Sequence, residues 1–370
     1  MPELASITIK GYKSIASIEN LKLGAINVLI GANGSGKSNF IGVFTFLRAI
    51  REGRLLEYVL KTGGAERVLH FGSKTTKKLS LQVTFAANHL RYDIDLSPVY
   101  ADVLMPENEL IRFLPFGRRS MSPAEFQRQG NEAGIGSSKE SLFQNVRRSM
   151  ATWVTYQFHD TSPSSPMKKT ADLHDNKCLR FDGANLAPYL YYLQQKESSS
   201  YNMIRNTVQK VAPFFDGFVL EPQKLNPDKI RLEWRHKGSE AYFDASSLSD
   251  GTLRFIALAT LFLQPENLRP SVILVDEPEL GLHPYAITLF ASLVKQAAVR
   301  TQVILSTQSS SLVDHFEPED VLVADRVDGG TQLTRLDSDR LEPWLENYSL
   351  GQLWEKNEIG GRPAAESTHV

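Results

Sequence analysis

The chain has 370 residues, of which 42% are apolar, and this is enough to fill one large core or two ordinary ones. Disorder throughout the chain is therefore excluded. The 41 Lys and Arg residues nearly balance the 42 Asp and Glu residues, and a net charge of −1 gives no general field for attracting nucleic acid or membrane. Any surface for such a partner must be local.

The sequence gives no sign of membrane insertion or secretion. Its most apolar run, residues 255–263, is far shorter than the ~20 residues needed to cross a bilayer. The first residues lack a basic segment followed by an apolar one, so a secretion signal is not indicated. The single cysteine, Cys178, cannot form an internal disulfide. We therefore expect a cytoplasmic protein without a transmembrane segment or redox chemistry.

The first hundred residues predict the start of an α/β sheet. Strands are expected at residues 7–10 and 26–30, and a glycine-rich loop and a helix over residues 39–50 follow. Residues 79–85 and 90–96 alternate apolar and polar side chains, which favours a hairpin through the turn between them. Together these elements predict a mixed sheet.

The middle of the chain changes character. Glycines and prolines interrupt helix-like segments at residues 139–150, 185–195 and 201–211, and none of them has the sustained apolar heptads of a coiled coil. After residue 213 strands and helices alternate again. The predicted organisation is an N-terminal part of the head (1–97), a mostly helical insert (98–213), a C-terminal part of the head (214–340) and a tail (341–370).

A phosphate-binding loop is predicted at residues 31–38, GANGSGKS, which fit G-x-x-x-x-G-K-[ST] between a strand and a helix. The glycines would let backbone N–H groups turn toward phosphate oxygens, and the helix N-terminus adds positive potential. Lys37 would hold the β- and γ-phosphates, and Ser38 would ligate Mg²⁺. The residues expected to bind the nucleotide here are Gly31, Asn33, Gly34, Ser35, Gly36, Lys37, Ser38 and Asn39.

Two adjacent carboxylates end the apolar strand of residues 272–275. Asp276 would bind Mg²⁺ directly or through water, and Glu277 could accept a proton from the water that attacks the γ-phosphate. Ligand sites of open α/β sheets lie at such strand ends. A third segment, LSDG at residues 248–251, reads as the N-cap of an apolar helix, and Ser249 lies 27 residues before Asp276.

These three segments, with ILSTQS at residues 304–309, resemble the ABC-type ATPase heads of the SMC/RecF/OLD group, and in particular its stand-alone bacterial members associated with DNA repair and phage defence. The resemblance implies ATP and Mg²⁺ as cofactors and a homodimer in which two heads sandwich two nucleotides. It implies that Ser249 and Gly251 reach the γ-phosphate of the other subunit. Lys13 matches a basic position that some relatives direct at nucleotide phosphate, and a solvated lysine is the equally good alternative.

One position departs from this pattern, because relatives often have a histidine where Gln308 stands. A glutamine can donate and accept hydrogen bonds but cannot titrate, so it could orient the attacking water without acting as a histidine switch. The predicted catalytic residues are therefore Glu277, Lys37 and Gln308, and the predicted metal ligands are Ser38 and Asp276.

The sequence says less about which process and partner the ATPase serves than about its nucleotide-binding residues. Only 212 residues separate Lys37 from Ser249, too few for the long coiled coil of a chromosome-clamping SMC protein, and the tail is too short for the nuclease domain of OLD proteins. We therefore expect a separate nuclease or effector partner in anti-phage defence. The alternatives are a RecF-like DNA-repair accessory and an ATP-dependent scaffold with little turnover; an oligomer larger than the dimer also stays open.

DNA is a further expected partner. Residues 111–150 carry seven basic and three acidic side chains, whereas residues 311–350 carry three basic and ten acidic ones. The basic segment also contains phenylalanines, as a site that follows a nucleic-acid backbone could, although a solvated face has the same composition. Its named members are Arg112, Arg118, Arg119, Arg128, Lys139, Arg147, Arg148, Phe113, Phe116 and Phe126.

Overall fold

The computed structural model describes residues 4–85, 90–113, 122–126 and 130–361. The chain forms two compact units: the first comprises residues 1–154, 271–274 and 302–370, and the second comprises residues 155–270 and 275–301. No helix in the described part of the chain is long and apolar enough to cross a membrane.

The strands are β1 (Leu4–Tyr12), β2 (Ile15–Lys22), β3 (Ile26–Ile30), β4 (Leu79–Phe85), β5 (Arg91–Val99), β6 (Val103–Phe113), β7 (Ser122–Glu125), β8 (Trp153–Tyr156), β9 (Ala171–Asp172), β10 (Phe215–Val219), β11 (Lys229–Ile230), β12 (Glu233–His236), β13 (Tyr242–Asp244), β14 (Val272–Asp276), β15 (Gln302–Thr307), β16 (Val321–Val327) and β17 (Gly330–Arg335).

The helices are α1 (Lys37–Arg51), α2 (Leu55–Thr62), α3 (Ala65–Val68), α4 (Gly72–Thr75), α5 (Ser141–Ala151), α6 (Leu186–Lys196), α7 (Ser198–Val211), α8 (Asp250–Leu263), α9 (Pro284–Ala297), α10 (Ser310–Val313), α11 (Ser338–Leu345) and α12 (Leu350–Glu355).

The first unit is built on two sheets. One has the order β2-β1-β4-β5-β6-β7 with antiparallel neighbours, and it contains the predicted β4–β5 hairpin, whose turn residues lie outside the described ranges. The other has the order β17-β16-β3-β15-β14-β8 and includes parallel strands on both sides of β3. The predicted mixed α/β architecture is confirmed.

Helix α1 shares one hydrophobic core with both sheets. Its apolar side chains recur at the spacing of successive helical turns, and Phe40, Phe44 and Leu47 are buried together with Ile9 of β1 and Leu29 of β3. Since five consecutive residues of β3 are buried, this strand is covered on both faces, as parallel strands of α/β proteins are. This packing fixes the position of the loop between β3 and α1, at the carboxyl end of β3.

Helix α8 is the most buried helix of the second unit. Every residue from Thr252 to Leu263 is buried, which is the pattern of a helix surrounded by protein on all sides. Around it the unit contains α6, α7 and α9, a three-stranded sheet of order β10-β12-β13 and the pair β9 and β11. The start of α8 carries the LSDG segment.

Residues 98–213, predicted as a mostly helical insert, contain the helices α5, α6 and α7 and also several strands. Strands β6 and β7 extend the first sheet, and β8 joins the second sheet. The segment is shared between the two units, since α5 belongs to the first and α6 and α7 belong to the second. Strand β6 was not expected because a register shift next to Pro106 breaks the alternation of its side chains.

Candidate functional site

The loop between β3 and α1 is shaped by close approaches that only glycine permits. A Cβ on Gly36, whose φ is +103°, would overlap Thr331 Oγ1, and a Cβ on Gly31 would overlap the carbonyl oxygen of Ala324. Gly34 has a φ of +81° but open space around it, so its backbone conformation alone favours glycine there. Strands β16 and β17 therefore pack directly against the predicted phosphate loop.

The Lys37 side chain closes this loop from the inside. It is only 5% exposed, and its Nζ donates hydrogen bonds to the carbonyl oxygens of Gly31 (2.6 Å) and Ala32 (2.9 Å). The ammonium group thus sits against the first two residues of the loop. Because the Lys37 side chain is already buried in the loop, it does not have to leave solvent before it contacts a phosphate that enters the loop.

The N-terminus of α1 is suited to an anion. Its cap residue is Gly36, which has no side chain to accept the first amides, and the first turn contains no acidic residue. The first amides of a helix need an acceptor, and the helix dipole makes that end positive. The hydroxyl of Ser35, the residue before the cap, is buried and has no hydrogen-bond partner among the described residues. Donors without acceptors at a helix N-terminus fit the phosphates of a nucleotide.

Asn39 and Lys13 lie next to the loop in different roles. The Asn39 Nδ2 donates to Ser14 Oγ at 2.7 Å, and Ser14 Oγ lies 2.7 Å from Thr331 Oγ1, so this amide ties α1 to β17. Lys13 precedes Ser14 and has a φ of +46°, which is unusual for a residue other than glycine. Burial lowers the pKa of Lys13, and its Nζ is 5.5 Å from the Tyr12 ring centroid.

Gln308 is brought to the beginning of the phosphate loop. In the parallel pairing of β15 with β3, Thr307 is the partner of Ile30, so Gln308 and Gly31 leave the sheet side by side. This juxtaposition lies within the first unit. It supports the predicted proximity of Gln308 to the phosphate groups, while its catalytic role remains a prediction.

The two predicted carboxylates lie at the end of β14 and belong to the second unit, although residues 272–274 of this strand belong to the first. This strand begins beside β15, because the Gln302 amide donates to the Ser271 carbonyl oxygen at 2.8 Å. Asp276 is the last residue of the strand, and Glu277 follows with a φ of +43°. A left-handed conformation costs a residue such as glutamate about 1–3 kcal/mol, and such strain concentrates at functional sites. The strain singles out Glu277 from the acidic residues around it.

The LSDG segment begins α8 as predicted. Ser249 is exposed, and its hydroxyl caps the helix by accepting from the Thr252 amide at 3.2 Å. A Cβ on Gly251 would overlap the carbonyl oxygen of Gly281, in the loop that follows the carboxylates. The glycine is thus required by packing within its own subunit. The predicted contacts of Ser249 and Gly251 with the nucleotide of another subunit are not tested by this chain alone.

Two arginines of the predicted DNA surface are engaged in contacts within the protein. The Arg112 Nε lies 2.9 Å from Asp93 Oδ2, and Arg147 donates to the Gly136 carbonyl oxygen at 2.8 Å. Phe126 stacks on Phe143, with 4.0 Å between ring centroids, and is therefore partly buried against the core. Three of the arginines and one phenylalanine lie outside the described residues: Arg118, Arg119, Arg128 and Phe116.

Three residues with a clear structural part, two in the first unit and one in the second, were not anticipated from the sequence. Thr331 supports the phosphate loop, Gly361 contacts it from the C-terminal side, and Arg254 is buried in α8. The first two are about 300 residues from the loop in sequence, so no local pattern could have indicated them. Arg254 could have been noticed as the one charge within the apolar part of the helix, residues 253–263.

This fold and this arrangement define an ABC-type P-loop ATPase head of the SMC/RecF-like group. The family model AAA_21, described as "AAA domain, putative AbiEii toxin, Type IV TA system", matches residues 26–314. The chain therefore belongs to the AAA_21 family. The matched range includes the phosphate loop, the LSDG segment, both carboxylates and Gln308. A comparison with curated proteins gave no match.

Solved structures of SMC heads share the fold. The crystal structure of an Smc head bound to the C-terminal winged-helix domain of ScpA matches with a TM-score of 0.62 and 16% identity, covering 92% of this chain and 100% of that one. An Smc head with an extended coiled coil, bound to the C-terminal domain of ScpA derived from Pyrococcus furiosus, matches with a TM-score of 0.59 and 15% identity, covering 94% and 99%. At this identity the likeness shows the fold alone.

Proposed function

We propose that this protein hydrolyses ATP with Mg²⁺ on the loop of residues 31–38 and dimerises around two ATP molecules. The observation that carries the proposal is the uncapped N-terminus of α1, with the buried Lys37 ammonium and the unpartnered Ser35 hydroxyl beside it. The α1 amides, the Ser35 hydroxyl and the Lys37 ammonium are donors that suit the oxygens of a polyphosphate.

Each predicted site residue has its own role in ATP binding or hydrolysis. Lys37 holds the β- and γ-phosphates, and the amides at the start of α1 hold the rest of the phosphate chain. The Ser38 hydroxyl and the Asp276 carboxylate would hold Mg²⁺, which neutralises charge that develops as the γ-phosphoryl group is transferred. Glu277 accepts the proton of the attacking water, and Gln308 orients that water.

Dimerisation completes the site in this proposal. Ser249 is exposed at the N-terminus of α8, a helix buried from Thr252 onward, where it can present its hydroxyl and the first amides of α8 to a second subunit. Ser249 and Gly251 of one subunit then contact the γ-phosphate bound by the other. A single subunit should hydrolyse ATP slowly, because part of its site is missing.

Two variants test this mechanism. Lys37→Ala should lose nucleotide binding, whereas Glu277→Gln should bind ATP and accumulate as a dimer without hydrolysing it. Light scattering after size-exclusion chromatography, with and without Mg-ATP, measures assembly, and phosphate release measures turnover. Normal turnover by Glu277→Gln would refute the general-base role, and a Glu277→Gln protein that stays monomeric with ATP would refute the sandwich.

We further propose that the nucleotide state is passed to a separate effector or nuclease in the cytoplasm, in anti-phage defence. The support is the C-terminal segment: the Gly351 amide donates to Asp314 Oδ1 at 2.6 Å, next to the Gln308 segment, and Ala32 of the phosphate loop donates to Gly361. Helix α11 before it has no buried residue and exposes Trp344. Heads of this fold bind protein domains, as the complexes with ScpA domains show for SMC.

An effector test uses the genes adjacent to this one. Each neighbouring product is co-expressed with the protein, and the mixture is purified through a tag on the ATPase with and without ATP. Retention of a nuclease or toxin that depends on nucleotide supports the proposal. Retention of none, together with binding of the ATPase alone to gapped or branched DNA, would favour the RecF-like repair function instead.

A further inference from the structure

One charged side chain lies inside the most buried helix of the second unit. Arg254 of α8 is 4% exposed, and its Nε and Nη2 donate to the carbonyl oxygens of Phe158 and His159, each at 3.1 Å. Burying a guanidinium is costly unless hydrogen bonds and charges compensate it. Burial lowers the pKa of Arg254, and the nearby carboxylates of Asp250 and Glu279 oppose that shift.

The Arg254 guanidinium lies where the start of α8 packs tightly against the loop that follows Glu277. A Cβ on Gly251 would overlap the carbonyl oxygen of Gly281, and a Cβ on Gly281 would lie 3.1 Å from Arg254 Nη1. Gly281 also has a φ of +74°, which favours glycine on conformational grounds. The start of α8 and the loop after the Glu277 carboxylate are therefore packed directly against each other.

A second cation supports the same junction. Lys168 is buried, with a side chain only 7% exposed; its Nζ lies 3.7 Å from Asp250 Oδ1 and donates to the Thr161 carbonyl oxygen. The segment of residues 158–168 thus contacts the start of α8 through both Arg254 and Lys168. Three pieces of chain, residues 158–168, 249–254 and 279–281, form one block, which we call the signature block.

We propose that Arg254 is a positioning residue that joins Ser249 to the loop following Glu277, so that the two ATP sites of the dimer are coupled. This rests on the proposed sandwich, in which Glu277 serves the nucleotide of its own subunit and Ser249 serves the nucleotide of the other. Close-packed groups without free volume move together. A shift of the Glu277 loop on ATP binding therefore displaces Ser249 and changes the other site, and the coupling is reciprocal.

The test compares Arg254→Met with a matched control. Arg269→Met also removes a half-buried arginine that donates to a main-chain carbonyl, Gln264 at 2.9 Å, but it lies beyond the opposite end of α8. For each protein, a fluorescent ATP analogue at low protein concentration measures binding by the single subunit. ATP-dependent dimerisation is measured in the Glu277→Gln background, and phosphate release against ATP concentration gives kcat and the Hill coefficient.

We expect Arg254→Met to bind the analogue within about twofold of the wild type, because its phosphate loop is intact. Its dimerisation should need at least tenfold more protein, its kcat should fall by at least tenfold, and its Hill coefficient should fall to 1. A structural role alone would lower the melting temperature of both arginine variants without separating binding from cooperativity. Arg269→Met should retain the wild-type dimerisation and Hill coefficient.

The outcomes are distinct. If Glu277→Gln itself stays monomeric with Mg-ATP, the sandwich is wrong and the coupling falls with it. If Glu277→Gln dimerises and its Arg254→Met derivative dimerises and cooperates equally well, the sandwich stands and the coupling alone is overturned. Should Arg254→Met not fold, Arg254→Lys gives the decision by the same measurements, since lysine keeps the charge but lacks the planar fork that reaches both carbonyls. An Arg254→Lys protein indistinguishable from Arg269→Met would refute the proposal.

Discussion

The backbone amide of Ala32 donates a 2.7 Å hydrogen bond to the carbonyl oxygen of Gly361, joining the second residue of the phosphate loop to the C-terminal segment. The Gly361 amide in turn donates to Asp325 Oδ1 at 2.6 Å. A Cβ on Gly361 would lie 3.4 Å from the Gly31 Cα, so the segment is close to the loop as well as bonded to it. The predicted phosphate loop is thus supported by a segment that lies far from it in the sequence.

Ending the chain after Glu358 should therefore weaken ATP binding. A hydrogen bond of this kind contributes about 0.5–1.5 kcal/mol, and its loss leaves the loop less restrained, so we expect the Kd for ATP to rise about 3- to 10-fold. Titration with a fluorescent ATP analogue measures the change. A chain ended after Gly361 is the control and should bind as the full chain does. Equal affinities for both shortened chains would show that the Gly361 contact does not support the loop.

Gly36 and Gly34 make a matched pair of positions in the same loop. Gly36→Ala should lower the stability by about 2–4 kcal/mol, because the new methyl group overlaps Thr331 and the backbone is left-handed. Gly34→Ala meets nothing within 4 Å and should cost only the backbone term, about 1–2 kcal/mol. Urea denaturation of the two variants measures the difference. A Gly34→Ala variant as unstable as Gly36→Ala would mean that conformation, not contact, decides both positions.

The strained backbone of Glu277 should lower the stability of the protein, so that a glycine at this position relieves the strain. Glu277→Gly and Glu277→Gln both remove the carboxylate, but only glycine accepts a φ of +43° without strain. We expect Glu277→Gly to be at least as stable as Glu277→Gln, with strain relief of about 1–3 kcal/mol offsetting the greater entropy of the unfolded glycine chain. Differential scanning calorimetry without nucleotide compares them. A lower melting temperature for Glu277→Gly would contradict the strain.

A buried carboxyl in the first unit makes stability depend on pH. The Glu109 side chain accepts hydrogen bonds from the Tyr92 hydroxyl (2.8 Å) and from the amides of Gly134 (2.6 Å) and Ile135 (3.1 Å). Burial raises the pKa of Glu109 above its usual value, although these hydrogen bonds partly oppose the rise. The folded protein then holds this proton more tightly than the unfolded chain does.

The sign of the effect follows from proton binding. Because the folded pKa is the higher one, the contribution of Glu109 is fully present below the unfolded value near 4.5 and is lost as the pH rises through the folded pKa. Glu109→Gln cannot lose a proton and should become more stable relative to the wild type as the pH rises above 4.5. Urea denaturation of both proteins at several pH values checks this. A stability difference that does not change with pH would contradict the raised pKa.

The local elements of the fold were largely predictable from the sequence. Strand β3 occupies residues 26–30 as expected, since four apolar residues, interrupted only by Asn27, precede a glycine cluster, and the Ser249 cap of α8 follows from a local hydrogen bond. Strand β16 was not anticipated, although it lies directly beside β3 in the sheet. The contacts that complete the loop, such as that of Gly36 with Thr331, join distant parts of the chain and leave no local pattern.

The strand order of the second sheet also determines when β3 can pair with its neighbours as the chain is translated. The neighbours of β3 are β15 and β16, so the strand that leads into the phosphate loop has no sheet partner within the first 300 residues. A growing chain emerges from the ribosome N-terminus first, and pairing between distant strands must wait for the later strand. The loop of residues 31–38, although among the first parts made, therefore gains its final shape only after β16, β17 and Gly361, which all contact it, have been translated. A nascent or prematurely ended chain would carry the complete GANGSGKS motif without the sheet that shapes it.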